Sequence, residues 1–215
     1  SRRRATLHGL TTAPGNVLGA VLGFREAGSH RVVDMRECHV LRQELFALVA
    51  PLRRLIARWG GRQAADVALT LADPGVDCGL AGLTIEGLGP TEALLDFARE
   101  HGLARLTLDR GYGAEMLWEP EPVTVALAGV PVGLPPGAFL QATQDGEDML
   151  IADAKSYLQD TGTIADLFSG LGTFAFALAG PARILAVEAA RDAHLACKAA
   201  AVASGKPVHT LHRDL

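Results

Sequence analysis

The chain has 215 residues, 49% of them hydrophobic, which allows one large domain or two small ones with a sizeable core and excludes a low-complexity or disordered class. No apolar run approaches the ~18–20 residues of a membrane span, and three widely separated cysteines (Cys38, Cys78 and Cys197) make a disulfide scaffold a poor fit and suit a reducing cytoplasm. The net charge of −4 is unevenly spread, with 11 arginines against four carboxylates in residues 1–62 and nine basic against 20 acidic residues in 63–215; the first section is a candidate polyanion face, although merely solvated arginines fit the charge equally well.

In chain order, the pattern predicts strands over 2–10 and 17–25 joined by a turn at Ala13-Pro14-Gly15-Asn16, then a short strand over 32–35. A helix is expected over 43–59, with Leu45, Leu48, Val49, Leu52, Leu55 and Ile56 as its apolar stripe and Gly60-Gly61 as its stop. Residues 66–71 and 78–83 read as a hairpin around Asp73-Pro74-Gly75. Thr91 is the expected cap of the next helix, which turns Leu94, Phe97 and Ala98 to the core. Strands follow over 104–108 and 123–127. Residues 1–135 thus read as a mixed α+β domain, and the proline- and glycine-rich stretch Gly133-Leu134-Pro135-Pro136-Gly137-Ala138 as the junction to a second domain over 136–215.

The second domain opens with Phe139-Leu140-Gln141-Ala142-Thr143 and a helix over 146–159. A buried strand over 164–168 then breaks into Ser169-Gly170-Leu171-Gly172, followed by a helical run over 173–179 and a second strand over 183–187 that ends on Glu188. Strand, glycine turn, helix and strand ending in a carboxylate form the first half of a nucleotide-binding α/β unit. Gly170 and Gly172 allow a sharp turn and close approach of a ligand, and Glu188 can accept from two ribose hydroxyls. The run Gly170 to Ala175 also fits G-x-G-x-x-G/A, the dinucleotide pattern. Asp166, four residues before the first glycine, separates the two cofactors: a carboxylate there opposes a diphosphate and suits the cationic amino group of S-adenosylmethionine. A glycine turn without a ligand is the third reading. A last helix over 190–204 and a strand over 208–211 bring the chain to Arg213-Asp214-Leu215. Three strands are half of a doubly wound sheet, so the expectation is an incomplete domain, truncated at its C-terminus, and the start without Met suggests a trimmed N-terminus.

Together, Arg2-Arg3-Arg4-Ala5, Leu22-Gly23-Phe24-Arg25 with Ser29-His30, Glu37-Cys38-His39-Val40-Leu41, Phe139-Leu140-Gln141-Ala142-Thr143, Asp166-Leu167-Phe168-Ser169-Gly170-Leu171-Gly172-Thr173-Phe174 and Val187-Glu188 resemble the bacterial RNA (uracil-5-)-methyltransferases, specifically the iron–sulfur branch that makes 5-methyluridine in 23S ribosomal RNA. The resemblance implies an α/β fold in which a mixed α+β central domain precedes a partial class I (Rossmann-like) methyltransferase sheet. It implies that Gln141, Phe168 and Thr173 line the S-adenosylmethionine site beside Asp166, Gly170 and Gly172, that Glu188 holds the ribose, and that Asp214 sits near the adenine. Arg2, Arg3, Arg4, Arg25, His30, Arg31 and Phe139 are the implied RNA contacts. Thr143 and Thr173 stand where the family usually has Asn. Cys38 matches the fourth ligand of a 4Fe–4S cluster; three further cysteines would precede Ser1, so the cluster is expected in a full-length parent only.

In that family a cysteine thiolate adds to C6 of uracil, C5 takes the methyl group, and a base removes the C5 proton, on a base taken out of its stack. None of the three cysteines here stands in such a context, so no catalytic residue is assigned and the chain alone is expected to be inactive. RNA, 23S rRNA rather than tRNA, is the implied partner, with no membrane and no obligate protein partner, in the cytoplasm. Two alternatives remain: an NAD-linked oxidoreductase using the same glycine turn, and a non-catalytic RNA-binding module built on residues 1–62.

Overall fold

The computed structural model describes residues 1–11, 19–59 and 63–214. The turn expected at Ala13–Asn16 and the stop at Gly60-Gly61 lie outside the described residues. The chain divides into two compact units, Ser1–Glu121 and Pro122–Leu215.

In the first unit, β1 (Arg4–Thr11), β2 (Ala20–Arg25) and β3 (Val32–Asp34) are followed by α1 (Gln43–Phe46), α2 (Val49–Ala57), β4 (Ala64–Leu71), β5 (Val76–Ala81), α3 (Leu88–Glu100), β6 (Arg105–Asp109) and β7 (Ala114–Trp118). The strands form one seven-stranded sheet in the order β3-β2-β1-β4-β5-β6-β7. All neighbours are antiparallel except β5 and β6, which are parallel because α3 supplies the crossover a parallel pair requires. Alternation along β1 and β4 turns Leu7, Val67 and Leu69 inward against Leu45, Leu52 and Ile56 of the helices. Each such side chain, removed from water, contributes about 1.5–3 kcal/mol.

The single helix expected over 43–59 is two. Pro51 has no N–H to bond the carbonyl four residues back and its ring crowds that carbonyl, so it is tolerated only in a first turn; the helix breaks at Ala47-Leu48 and restarts at Val49. The helix expected to be capped by Thr91 begins at Leu88, with Gly87 at φ 92° as its N-cap, and Thr91 Oγ1 donates back to the Gly87 carbonyl at 3.1 Å. Strand β7 was not legible in its own sequence. It forms because Asp109 Oδ1 accepts the N–H groups of Gly111 (2.6 Å) and Gly113 (3.1 Å), which closes a hairpin with β6.

The second unit contains β8 (Thr124–Leu127), β9 (Val130–Gly133), α4 (Gln144–Leu158), β10 (Thr163–Leu167), α5 (Thr173–Leu178), β11 (Arg183–Glu188), α6 (Arg191–Ser204) and β12 (Val208–His212). Ala128 (φ 48°) and Gly129 (φ 78°) make the tight left-handed turn that pairs β8 with β9. This hairpin, with Val125, Leu127, Val130 and Val132 buried, packs on α5 and α6. The division therefore falls at 121/122 and not at 135/136, and the proline-rich stretch 133–138 is a loop within the second unit. Thr143 caps α4 by accepting the Gly146 N–H at 3.1 Å, so the helix starts two residues earlier than expected. Strands β10, β11 and β12 are parallel and adjacent in that order, joined by α5 and α6.

Candidate functional site

In an open parallel sheet, ligands bind beyond the carboxyl ends of the strands. There Asp166 pairs with Ala186 across β10 and β11. Glu188, two residues beyond Ala186, points to the same face as Asp166. The carboxylates are close enough for Glu188 to raise the pKa of Asp166. After β10 the chain passes through Phe168 (φ 57°), Gly170 (φ 56°) and Gly172 (φ 96°). Two hydrogen bonds fold this turn onto β11, Ser169 N–H to the Val187 carbonyl (3.0 Å) and Gly170 N–H to Glu188 Oε2 (2.8 Å), and a third, Gly172 N–H to the Ser169 carbonyl (2.8 Å), closes the turn on itself.

The two glycines serve different ends. A Cβ on Gly172 would stand 2.7 Å from Phe176 Cε2 and 2.9 Å from Cys197 Sγ, so the turn is packed tight beneath. A Cβ on Gly170 would meet nothing within 4 Å, so the backbone there is open to an approaching molecule. Phe168 is 70% exposed, in a conformation that costs a bulky residue about 1–2 kcal/mol. An aromatic held strained and in solvent is not a packing residue, and strain of this kind gathers at ligand sites.

Burial, reinforced by the charge of Glu188 and opposed by the Ala175 backbone N–H, pushes the Asp166 carboxyl up to about 6. Its Oδ2 is buried with no hydrogen-bond partner. Glu188 accepts one N–H on each oxygen, from Gly170 and from Ala190 (2.7 Å), and each carboxylate oxygen has a further lone pair. An acceptor buried without a donor, beside a carboxylate with spare capacity and an open turn, fits a ligand bringing a cation and hydroxyl groups. The set therefore fits S-adenosylmethionine, with its ammonium, sulfonium and ribose, and opposes a diphosphate.

Thr173 opens α5 and is half-buried; Asp214 is exposed two residues beyond His212, which pairs with Glu188. Asp166, Gly170, Gly172, Thr173 and Glu188 are thus gathered at one end of the sheet. Gln141 is half-buried two residues before the α4 cap, and Phe139 is 69% exposed in the same segment. A groove of about 340 Å³ lined by Ile164, Leu178 and Pro181 lies at the opposite end of β10 and is not this site.

Sequence reasoning passed over Ser169, His194 and His212, and read Cys197 only as a small buried residue. Cys197 lies under Gly172, its thiol pushed up to about 11 by burial and by Asp166 and Glu188. The buried stripe of α6, His194, Cys197, Ala200 and Ala201, was visible as helical spacing and would have pointed Cys197 at the sheet.

Of the residues expected to face RNA in the first unit, Arg2, Arg25, His30 and Arg31 are exposed and Arg4 is half-exposed. Arg3 is a correction: it is 9% exposed, because it shares the inward parity of Ala5, Leu7 and Gly9. Cys38 is half-buried against the core of the first unit, on a segment tied down by Arg2 N–H to the Val40 carbonyl (2.6 Å). Among the described residues no group of three or more His, Cys, Asp or Glu side chains could hold a metal ion. The residues present do not fit a 4Fe–4S cluster, which takes four thiolates. No helix among the described residues is long and apolar enough to cross a membrane.

The fold is that of S-adenosylmethionine-dependent methyltransferases. It matches the crystal structure of the tRNA (uracil-54, C5)-methyltransferase of Pyrococcus abyssi in complex with S-adenosyl-L-homocysteine at a TM-score of 0.70 and 17% identity, over 99% of this chain and 55% of that one. In sequence, the chain is 47% identical over 216 residues to an uncharacterized RNA methyltransferase of Zymomonas mobilis, covering all of this chain and 53% of that protein. It is 32% identical over 162 residues to the 23S rRNA (uracil(1939)-C(5))-methyltransferase of Pectobacterium carotovorum, covering 74% of this chain and 36% of that protein. The chain thus spans about half the length of the Zymomonas protein and aligns with it over all of its own residues. No family model matches it.

Proposed function

We propose that this chain carries the cofactor-binding part of an S-adenosylmethionine-dependent RNA methyltransferase that forms 5-methyluridine, in 23S rRNA rather than tRNA. The observation that carries the reading is the buried, unpartnered Asp166 oxygen beside Glu188 at an open glycine turn. The similarity to RNA methyltransferases supports the RNA substrate, and the similarity to a 23S rRNA enzyme supports the finer assignment. S-adenosylmethionine supplies an electrophilic methyl group when bound. Asp166 would face its ammonium, Glu188 its ribose hydroxyls and Asp214 its adenine, with Phe168, Gln141 and Thr173 as walls and Gly170 and Gly172 shaping the turn. Arg2, Arg4, Arg25, His30, Arg31 and Phe139 would meet RNA, the arginines through phosphates. An oxidoreductase using the same turn is disfavoured, because two carboxylates would face the diphosphate of NAD.

Calorimetric titration with S-adenosylhomocysteine and with NADH tests the reading. Binding of the first, lost in Asp166→Ala and Glu188→Ala, is expected; binding of NADH alone overturns it. Competition between 23S rRNA and tRNA transcripts for the protein tests the RNA assignment, and a preference for tRNA reverses it.

A further inference from the structure

We propose that His212 is a positioning residue for the nucleoside half of the cofactor, holding the main chain that carries Glu188 and Asp214. This rests on the reading that the carboxyl end of the parallel sheet binds S-adenosylmethionine. His212 is the last residue of β12 and pairs with Glu188. Its Nε2 lies 2.9 Å from the Ala189 carbonyl oxygen. A carbonyl can only accept, so Nε2 carries the proton. One residue on, Arg213 N–H donates to the Glu188 carbonyl at 3.1 Å.

The end of β12 is therefore stitched to two successive carbonyls, that of Glu188 at the end of β11 and that of Ala189 just after it. The Glu188 carboxylate is held separately, by Gly170 and Ala190 N–H. Main chain and side chain of Glu188 are both fixed, and Asp214 follows directly on Arg213, whose N–H is one of these bonds. Beneath lies His194, 8% exposed on the first turn of α6, with its ring centroid 5.3 Å from that of His212. Burial, with the charges of His212 and Lys198 and against that of Glu188, lowers the pKa of His194, and its ring packs against that of His212. Neither Asp166 nor the glycine turn takes part in the two bonds from β12, His212 to Ala189 and Arg213 to Glu188, so the effect should fall on the nucleoside and not on the amino-acid end.

The test compares His212→Leu, which removes the donor, with His212→Gln, whose amide reaches to about where Nε2 stands. S-adenosylhomocysteine and methylthioadenosine, which lacks the amino-acid group, are titrated calorimetrically into each. Loss of one hydrogen bond at a binding surface predicts that the Leu variant loses about tenfold in affinity, by the same factor for both ligands, at an unchanged melting temperature, and that Gln restores most of it. Leu binding both ligands within twofold of the parent overturns the proposal, as does a loss matched by a fall in melting temperature or not rescued by Gln. If the Leu variant does not fold, His212→Asn replaces it, since its shorter amide does not reach Ala189; equal affinities for Asn and Gln then overturn the proposal. A parent protein that binds neither ligand defeats the cofactor reading itself, a separate outcome.

Discussion

Glu188 Oε2 accepts the backbone N–H of Gly170 at 2.8 Å, across 18 residues of sequence. One carboxylate thus closes the glycine turn and stands at the candidate ribose site. Stability and binding are coupled through it. Glu188→Gln keeps one acceptor oxygen and turns an amide donor toward a backbone N–H. The expected cost is about 1–2 kcal/mol of stability together with a loss of S-adenosylhomocysteine affinity, read by urea unfolding and calorimetry on the same preparation. A variant losing affinity with unaltered stability would show that the turn does not depend on this bond.

Asp166 sets stability against binding. Its carboxyl titrates at about 6, above the ordinary 3.8, because burial disfavours its charge. The folded chain holds this proton more tightly than the unfolded one, so ionisation costs stability: none below about pH 4, and the full cost above about pH 6. Asp166→Asn removes that charge and is expected to raise stability at pH 7.5 by about 1–3 kcal/mol, while abolishing S-adenosylhomocysteine binding. Lower stability in Asn than in the parent at that pH contradicts the assignment.

The same titration gives binding a pH profile. A cationic amino group favours the ionised carboxylate, so affinity for S-adenosylhomocysteine should be level above about pH 7 and fall by up to about tenfold per pH unit below about pH 6. Binding near pH 6 should release protons, seen as a calorimetric heat that changes with the ionisation enthalpy of the buffer. A slope that persists in a weakly binding Asp166 variant would show that Asp166 is not its source.

Two alanine substitutions in one turn should differ. Gly172→Ala meets both the left-handed backbone at φ 96° and atoms at 2.7 and 2.9 Å, and is expected to cost more than about 2 kcal/mol. Gly170→Ala meets only the backbone term at φ 56° in open space and should cost about 1–2 kcal/mol. Denaturant midpoints order the two, and equal losses would show that the packing under Gly172 relaxes freely.

The first unit rests on a buried ion group. Arg105, 3% exposed, donates to both oxygens of Asp77 (2.9 and 2.6 Å) directly across β5 and β6, and to Glu119 at 3.3 Å. Burial works against its charge, and the bonds to Asp77 and Glu119 outweigh it and raise its pKa. Asp77→Ala takes two hydrogen bonds from that buried guanidinium and is expected to cost about 3–5 kcal/mol, whereas replacing Asp77 and Arg105 together by apolar residues should cost less. A double variant weaker than Asp77→Ala overturns this account.

Much of the candidate site was legible because its signals are local. Asp166, Gly170, Gly172 and Glu188 lie within 23 consecutive residues, and the spacing of strand, turn and helix follows from backbone geometry that the glycines permit and other residues forbid. The strands of the first unit were legible by alternation where one face is buried, as in β1 and β4. The break before Pro51 was equally local, since a proline belongs in the first turn of a helix and Val49 starts that turn.

The sequence by itself thus determined most of the elements, the glycine turn and the acidic residues around it, since each depends on neighbours a few positions away. Only the tertiary structure decided that Arg3 points inward, that the β8–β9 hairpin packs with α6, that Asp166 is buried enough to hold its proton to about pH 6, and that His212 reaches back to Ala189. Each of those depends on burial or on a partner distant in the chain, and both exist only once the sheets have formed.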